Sequence, residues 1–176
     1  MQKNPVNKTY AANFEKLEKS ADALTASLVP FLAEGEENLF VKAAEDKQAV
    51  SNAVEEWIEK YNSVVESLKK NETPLNDFYR EMLGEAVTEN EEGLATIGIV
   101  QNENETLSLD DEKLESAELD AIKKVLDGSG TFSSKVAFIA GRISDNAEAN
   151  IQSYSSQYDV NGYSYMMNNS KYDFWG

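Results

Sequence analysis

Two acidic clusters could hold a hard cation: Glu89 with Glu91 and Glu92, and Asp110 with Asp111 and Glu112. Calcium is bound by carboxylate and carbonyl oxygens, but its usual loop alternates Asp or Asn around a central Gly and closes on a Glu. Neither cluster has that spacing. Aspartate ahead of an apolar run is instead a helix cap, so no metal site is assigned. Trp57 and Tyr61 stand one helical turn apart and could offer a platform to an aromatic ligand, yet this is also the spacing of a core stripe, and core packing is the expectation. A carboxylate pair could hydrolyse a glycosidic bond, but nothing singles out one pair among 32 acidic residues. Gly128-Ser129-Gly130 lacks the preceding strand and the following Lys-Ser or Lys-Thr of a phosphate-binding loop, and no nucleophile elbow is present.

The chain contains neither cysteine nor histidine. Thiolate nucleophiles, disulfides and most zinc or copper sites are thereby excluded, together with the commonest general base near neutral pH. No catalytic residue and no cofactor is assigned, and the chain is read as a non-enzyme. Sixteen basic residues against 32 acidic ones give a net charge of −16. A nucleic-acid backbone or an anionic membrane is repelled by such a charge, whereas a basic partner is attracted. Residues 1–10 are polar, and no segment approaches the length of a membrane span, so neither a secretory leader nor membrane insertion is expected.

The elements follow from apolar spacing. Tyr10, Phe14, Leu17, Ala21, Leu24, Leu28 and Phe31 recur alternately four and three residues apart, which predicts a long amphipathic helix over 9–29. Pro30 predicts its end or a kink near Val29, with Gly35 closing the segment. Val50, Val54, Trp57, Tyr61, Val64 and Leu68, widened by Ile58 and Val65, predict a second helix over 46–70, begun by Asp46 or a neighbour. Thr73-Pro74 starts a third, shorter helix with Leu75, Phe78, Tyr79, Met82 and Leu83 on its apolar face. The acidic stretch 85–92 reads as a loop or frayed end. Ile97 and Ile99, then Leu107 and Leu109, alternate across a polar turn and predict a two-stranded hairpin at 96–109. Asp110 or Asp111 caps a helical region with Leu114, Leu119, Ile122, Val125 and Leu126 inward, ending at Gly128. Phe132, Val136, Ile139, Ile143 and Ile151 predict another long helix over 133–154.

The resulting fold class is mainly α: an elongated helical bundle with one small antiparallel hairpin on its side. Helix contacts are assigned to Phe14, Leu17, Leu24, Leu28, Val136, Ile139 and Ile143, because two narrow apolar stripes cannot remain in water and must pair. Residues 1–154 form the bundle domain, and 155–176 a Tyr/Ser/Asn-rich tail. Tyr158, Tyr163, Tyr165, Tyr172 and Trp175 have no helical period. They are read either as a loosely docked tail or as partner-binding anchors, since tyrosine and tryptophan are enriched at interfaces.

Two blocks resemble a known family. Val54, Trp57, Ile58, Tyr61, Asn62, Ser63 and Val64 are similar to a helix of the bacterial flagellar filament-cap family, also called hook-associated protein 2. Leu94-Ala95-Thr96-Ile97-Gly98-Ile99 followed by Thr106-Leu107-Ser108-Leu109-Asp110-Asp111-Glu112-Lys113-Leu114 resembles the family's more specific strand-turn-strand stretch. The likeness covers roughly half the chain and leaves no room for the family's large variable domains, so it implies a minimal relative. It implies a structural protein acting in assembly or surface attachment through helix-mediated contacts, secreted or at the cell surface by the flagellar export route. A cytoplasmic location also stays open. The implied partners are proteins, flagellin-like subunits or further copies of the chain in a homo-oligomer. The alternative is a secreted binding module on a cap-like core, recognising host glycan or protein through the aromatic tail.

Overall fold

The computed structural model describes residues 5–42 and 47–156. In chain order they form α1 (Pro5–Leu32), a 3-10 turn (Gly35–Glu37), α2 (Leu39–Lys42), α3 (Lys47–Lys70), α4 (Pro74–Glu89), α5 (Glu91–Thr96), β1 (Ile99–Gln101), β2 (Leu107–Leu109), α6 (Asp111–Ser116), α7 (Leu119–Leu126) and α8 (Phe132–Ser156). The architecture is mainly α with a single antiparallel hairpin among the described residues, pairing Ile99 with Leu109 and Gln101 with Leu107.

The frame is α1, α3 and α8. Tyr154 stacks on Tyr10 and Phe14, Ser144 Oγ donates to Asp22 at 2.6 Å, and the Gly128 N–H donates to the Phe31 carbonyl at 3.1 Å. These contacts fix α1 and α8 as an antiparallel pair. The α3 helix also runs antiparallel to α1, because Ser20 meets Ser67 and the Asn71 amide donates to the Asn13 carbonyl. Phe14, Leu17, Ala21, Leu24, Leu28 and Phe31 are all buried in the seam. Facing them are Val50, Val54, Trp57, Tyr61, Val64 and Leu68 from α3 and Phe132, Val136, Ile139, Ile143 and Ala147 from α8. Full burial of one Leu or Phe side chain contributes about 1.5–3 kcal/mol, so this continuous strip dominates stability. Trp57 and Tyr61 are core residues with no exposed surface, rings 6.5 Å apart and edge to face, and Trp57 also packs on Phe132.

Several boundaries depart from the sequence reading, each for a physical reason. The first helix does not end near Val29: it continues through Pro30 to Leu32. Proline removes only the bond to the Ala26 carbonyl, the next turn is kept by the Ala33 N–H to Val29 carbonyl bond at 2.9 Å, and buried Leu28 and Phe31 pin that turn to the core. Residues 85–92 are not a loop, because α4 extends to Glu89 and α5 follows after Asn90. Small and β-branched Ala86 and Val87 supply the buried side there, and the carboxylates face water.

The apolar face assigned to α4 is also corrected: Leu75 and Phe78 are 41% and 52% exposed. The face actually buried is Asn76, Leu83, Ala86 and Val87, since the Asn76 amide is drawn inward to the Asn71 carbonyl at 2.6 Å. The hairpin begins at Ile99 rather than at 96, with Ile97 ending α5. The single helical region after Asp110 is two helices, broken where Ala117 and Glu118 turn extended. Asp46 and the tail anchors Tyr158, Tyr163, Tyr165, Tyr172 and Trp175 lie outside the described residues.

Candidate functional site

One side chain pairs the backbone of the hairpin with the bundle. Asn62, on the flank of α3, accepts the Leu107 N–H at 2.7 Å and donates its amide to the Leu107 carbonyl at 2.9 Å. An isolated hairpin is marginal in water, and here a helix side chain copies the pairing of a third strand. Gly98 then turns the chain from α5 into β1 with φ +87, and a Cβ there would stand 2.7 Å from the Asp110 carbonyl oxygen. Glycine is required for that approach. Asp110 closes the hairpin by donating its N–H to the Gly98 carbonyl at 2.9 Å and caps α6 by accepting the Lys113 N–H at 3.0 Å.

The hairpin tip is locked electrostatically. Arg80 donates to both Glu105 carboxylate oxygens at 2.8 Å, and Lys69 lies 3.3 Å from the same group. Partial burial by itself would raise the Glu105 carboxyl, but the hydrogen bonds and charges of Arg80 and Lys69 outweigh it and hold the group below the usual carboxylate range. Tyr61 shifts the other way. Burial, reinforced by the negative charge of Glu105, raises its phenol well above the usual value and keeps it protonated.

The opposite end of the bundle is clamped by Asn38, a residue outside every apolar stripe. Its amide donates to Asp127 at 2.6 Å and to the Ala33 carbonyl at 3.0 Å, while its side-chain oxygen accepts the Phe40 N–H at 2.8 Å. A lone Asn directly ahead of Leu-Phe in an acidic turn was the available signal, since such residues bond backbone locally. Arg80 with Glu105 left no such signal, being 25 residues apart.

The assigned helix-contact residues come together. Phe14, Leu17, Leu24 and Leu28 of α1 and Val136, Ile139 and Ile143 of α8 are all buried in the chain's own core, which leaves none of them as an outer surface for a partner. Except for Glu89, the last residue of α4, the acidic clusters lie at helix starts. Asp110 is the α6 cap, Asp111 and Glu112 occupy its first turn, and Glu91 and Glu92 occupy the first turn of α5, where negative charge favours the helix dipole. No group of three or more His, Cys, Asp or Glu suited to a metal is found among the described residues, and no described helix is long and apolar enough to cross a membrane.

At the end bearing the start of α1 and the end of α8, α3 stops where Asn71 meets Asn13. Residues 5–12 of α1 therefore continue about 12 Å past it, accompanied by the last turns of α8 through the Tyr10–Tyr154 stack. The site-bearing frame is thus a helical body with a clamped hairpin and a two-helix stem. No family model, no curated protein and no solved structure matches this chain.

Proposed function

We propose that the chain is a structural assembly protein of the filament-cap kind, a minimal hook-associated-type scaffold exported to the cell surface, where it contacts flagellin-like subunits. The observation that carries this reading is the stem. Antiparallel α1 and α8 bring both ends of the described chain out together beyond α3, the arrangement expected of a rigid head carried on paired terminal helices. Further support comes from the two blocks that bear the resemblance, whose distinctive residues each have a constructive role: Asn62 docks the strand, Gly98 permits the turn, and Asp110 closes the hairpin and starts α6. A scaffold of this kind catalyses nothing, and its cargo is other protein.

The test is to express the tagged chain in a flagellated host lacking its own cap protein. Recovery of the chain with sheared extracellular filaments, and a drop in unassembled flagellin in the medium, is expected. Retention of the chain in the cell with flagellin assembly unchanged would overturn the reading.

A further inference from the structure

We infer that the seam between α4 and α8 is a docking groove for an amphipathic helix of a partner protein, one carrying lysine or arginine beside its apolar stripe. The two helices run antiparallel, with Lys135 paired to Glu89 at one end and Arg142 and Asp145 close enough to Tyr79 to act on its phenol further along. Phe138, 60% exposed, lines the groove between them, and on α4 Leu75 at 41% and Phe78 at 52% exposure stand one helical turn before Tyr79 and Met82, extending the same helix face. Half-buried Met82 and Tyr79 join them, and an open groove of 270 Å³ is lined by Met82, Ala86, Phe138 and Ile139 with Glu85, Glu89 and Lys135 at its rim. From Leu75 to Ala86 the strip runs about 16 Å, three helical turns. A groove between two helices with apolar residues along its floor accepts a third helix through anchors spaced three and four residues apart.

Charge decides which helix. Arg80 is paired with Glu105 and Asp77 and Lys135 with Glu89, while Arg142 lies 5.4 Å over the Phe138 ring and keeps its charge. Along the seam the carboxylates of Glu85, Glu89 and Asp145 outnumber the cations Lys135 and Arg142, which leaves the rim acidic on balance. With a net charge of −16, a second copy of the chain is repelled at long range, whereas a helix with basic flanks is drawn in. This inference stands apart from the cap-like reading, since it concerns a surface that neither the stem nor the hairpin uses.

Three synthetic helical peptides test it against the full chain by fluorescence anisotropy: leucines at the anchor positions with lysine flanks, the same with glutamate flanks, and lysine flanks with serine at the anchors. The leucine-lysine peptide is expected to bind, and both controls to bind at least about tenfold more weakly, the scale of losing an anchor or a complementary charge. Phe138→Ser and Phe78→Ser, both at exposed positions and with unchanged circular dichroism, are each expected to weaken it about tenfold. Equal binding of the serine peptide would reduce the effect to bulk charge and overturn the proposal. So would no binding at all, or binding indifferent to both substitutions. Sedimentation of the full chain as a dimer that Phe138→Ser converts to monomer would assign the seam to a second copy instead, and the proposal would fall.

Discussion

At the residue scale, a few polar side chains fix what the apolar pattern leaves free. Asn62 satisfies both backbone groups of Leu107, so Asn62→Ala leaves a donor and an acceptor without their protein partner at a part-buried site. We expect a loss of about 1–3 kcal/mol in urea unfolding, with amide exchange accelerated first in β1 and β2. Unchanged exchange there would mean that apolar packing and the Glu105 ion pairs hold the hairpin without Asn62. Glu105 makes a pH-dependent contribution whose sign follows from its lowered carboxyl. A group depressed in the folded state stabilises fully above its unfolded value, near 4.5, and that contribution is lost as pH falls through the lower folded value. The difference in melting temperature between the native chain and Glu105→Gln should therefore be constant above about pH 6 and shrink below about pH 4.5. Because the Glu105 side chain is 39% exposed, the difference should also diminish in high salt. A difference independent of pH would remove the ion pair from the account.

At the element scale, the heptad spacing in α1 does the organising. Leu24 has no exposed surface and faces both α3 and α8, so Leu24→Asp places a carboxylate where neither water nor a cation reaches it. Unfolding at room temperature, seen as loss of helical circular dichroism, is expected; Leu24→Ala should remain folded but lose about 2–5 kcal/mol. A folded Leu24→Asp chain with an unchanged melting temperature would show that α1 is phased differently. The α4 helix shows the limit of such patterns. Leu75, Phe78 and Met82 have ideal helical spacing, yet the helix is turned to bury Asn76, Leu83 and Val87, because the Asn76–Asn71 bond and the contact with α8 set its rotation.

At the scale of the whole molecule, the body is closed by contacts between its two ends. Ser144 reaches Asp22 across 122 residues, so α1 and α8 complete the core together. A chain shortened to end at Ser156 keeps every described core residue. It should retain its helical circular dichroism and lose no more than about 1 kcal/mol of stability. Removing α1 instead should abolish folding, because α8 and α3 would then expose a continuous apolar strip. A large loss on removing 157–176 would place those residues in the core.

Sequence periodicity alone determined that this chain is mainly helical, that long helices lie near 9–29, 46–70 and 133–154, that a hairpin precedes an Asp-capped helix, and which face of α1 is buried from Phe14 onward, although Tyr10 on the same stripe is half exposed. It could do so because the stripes are long, and each residue on them is buried for the same reason as its neighbours. Stripes are weakest where small residues do the packing, which is why Ala86 and Val87 concealed the last turns of α4. Only the tertiary structure decided how far α1 runs past Pro30, that Arg80 meets Glu105, that Asn38 and Asn62 act as clamps, and that Leu75, Phe78 and Phe138 stay in water. In each of these a local bond or exposed position is fixed together with packing against a distant segment, and local spacing carries no record of a contact made only when distant segments meet.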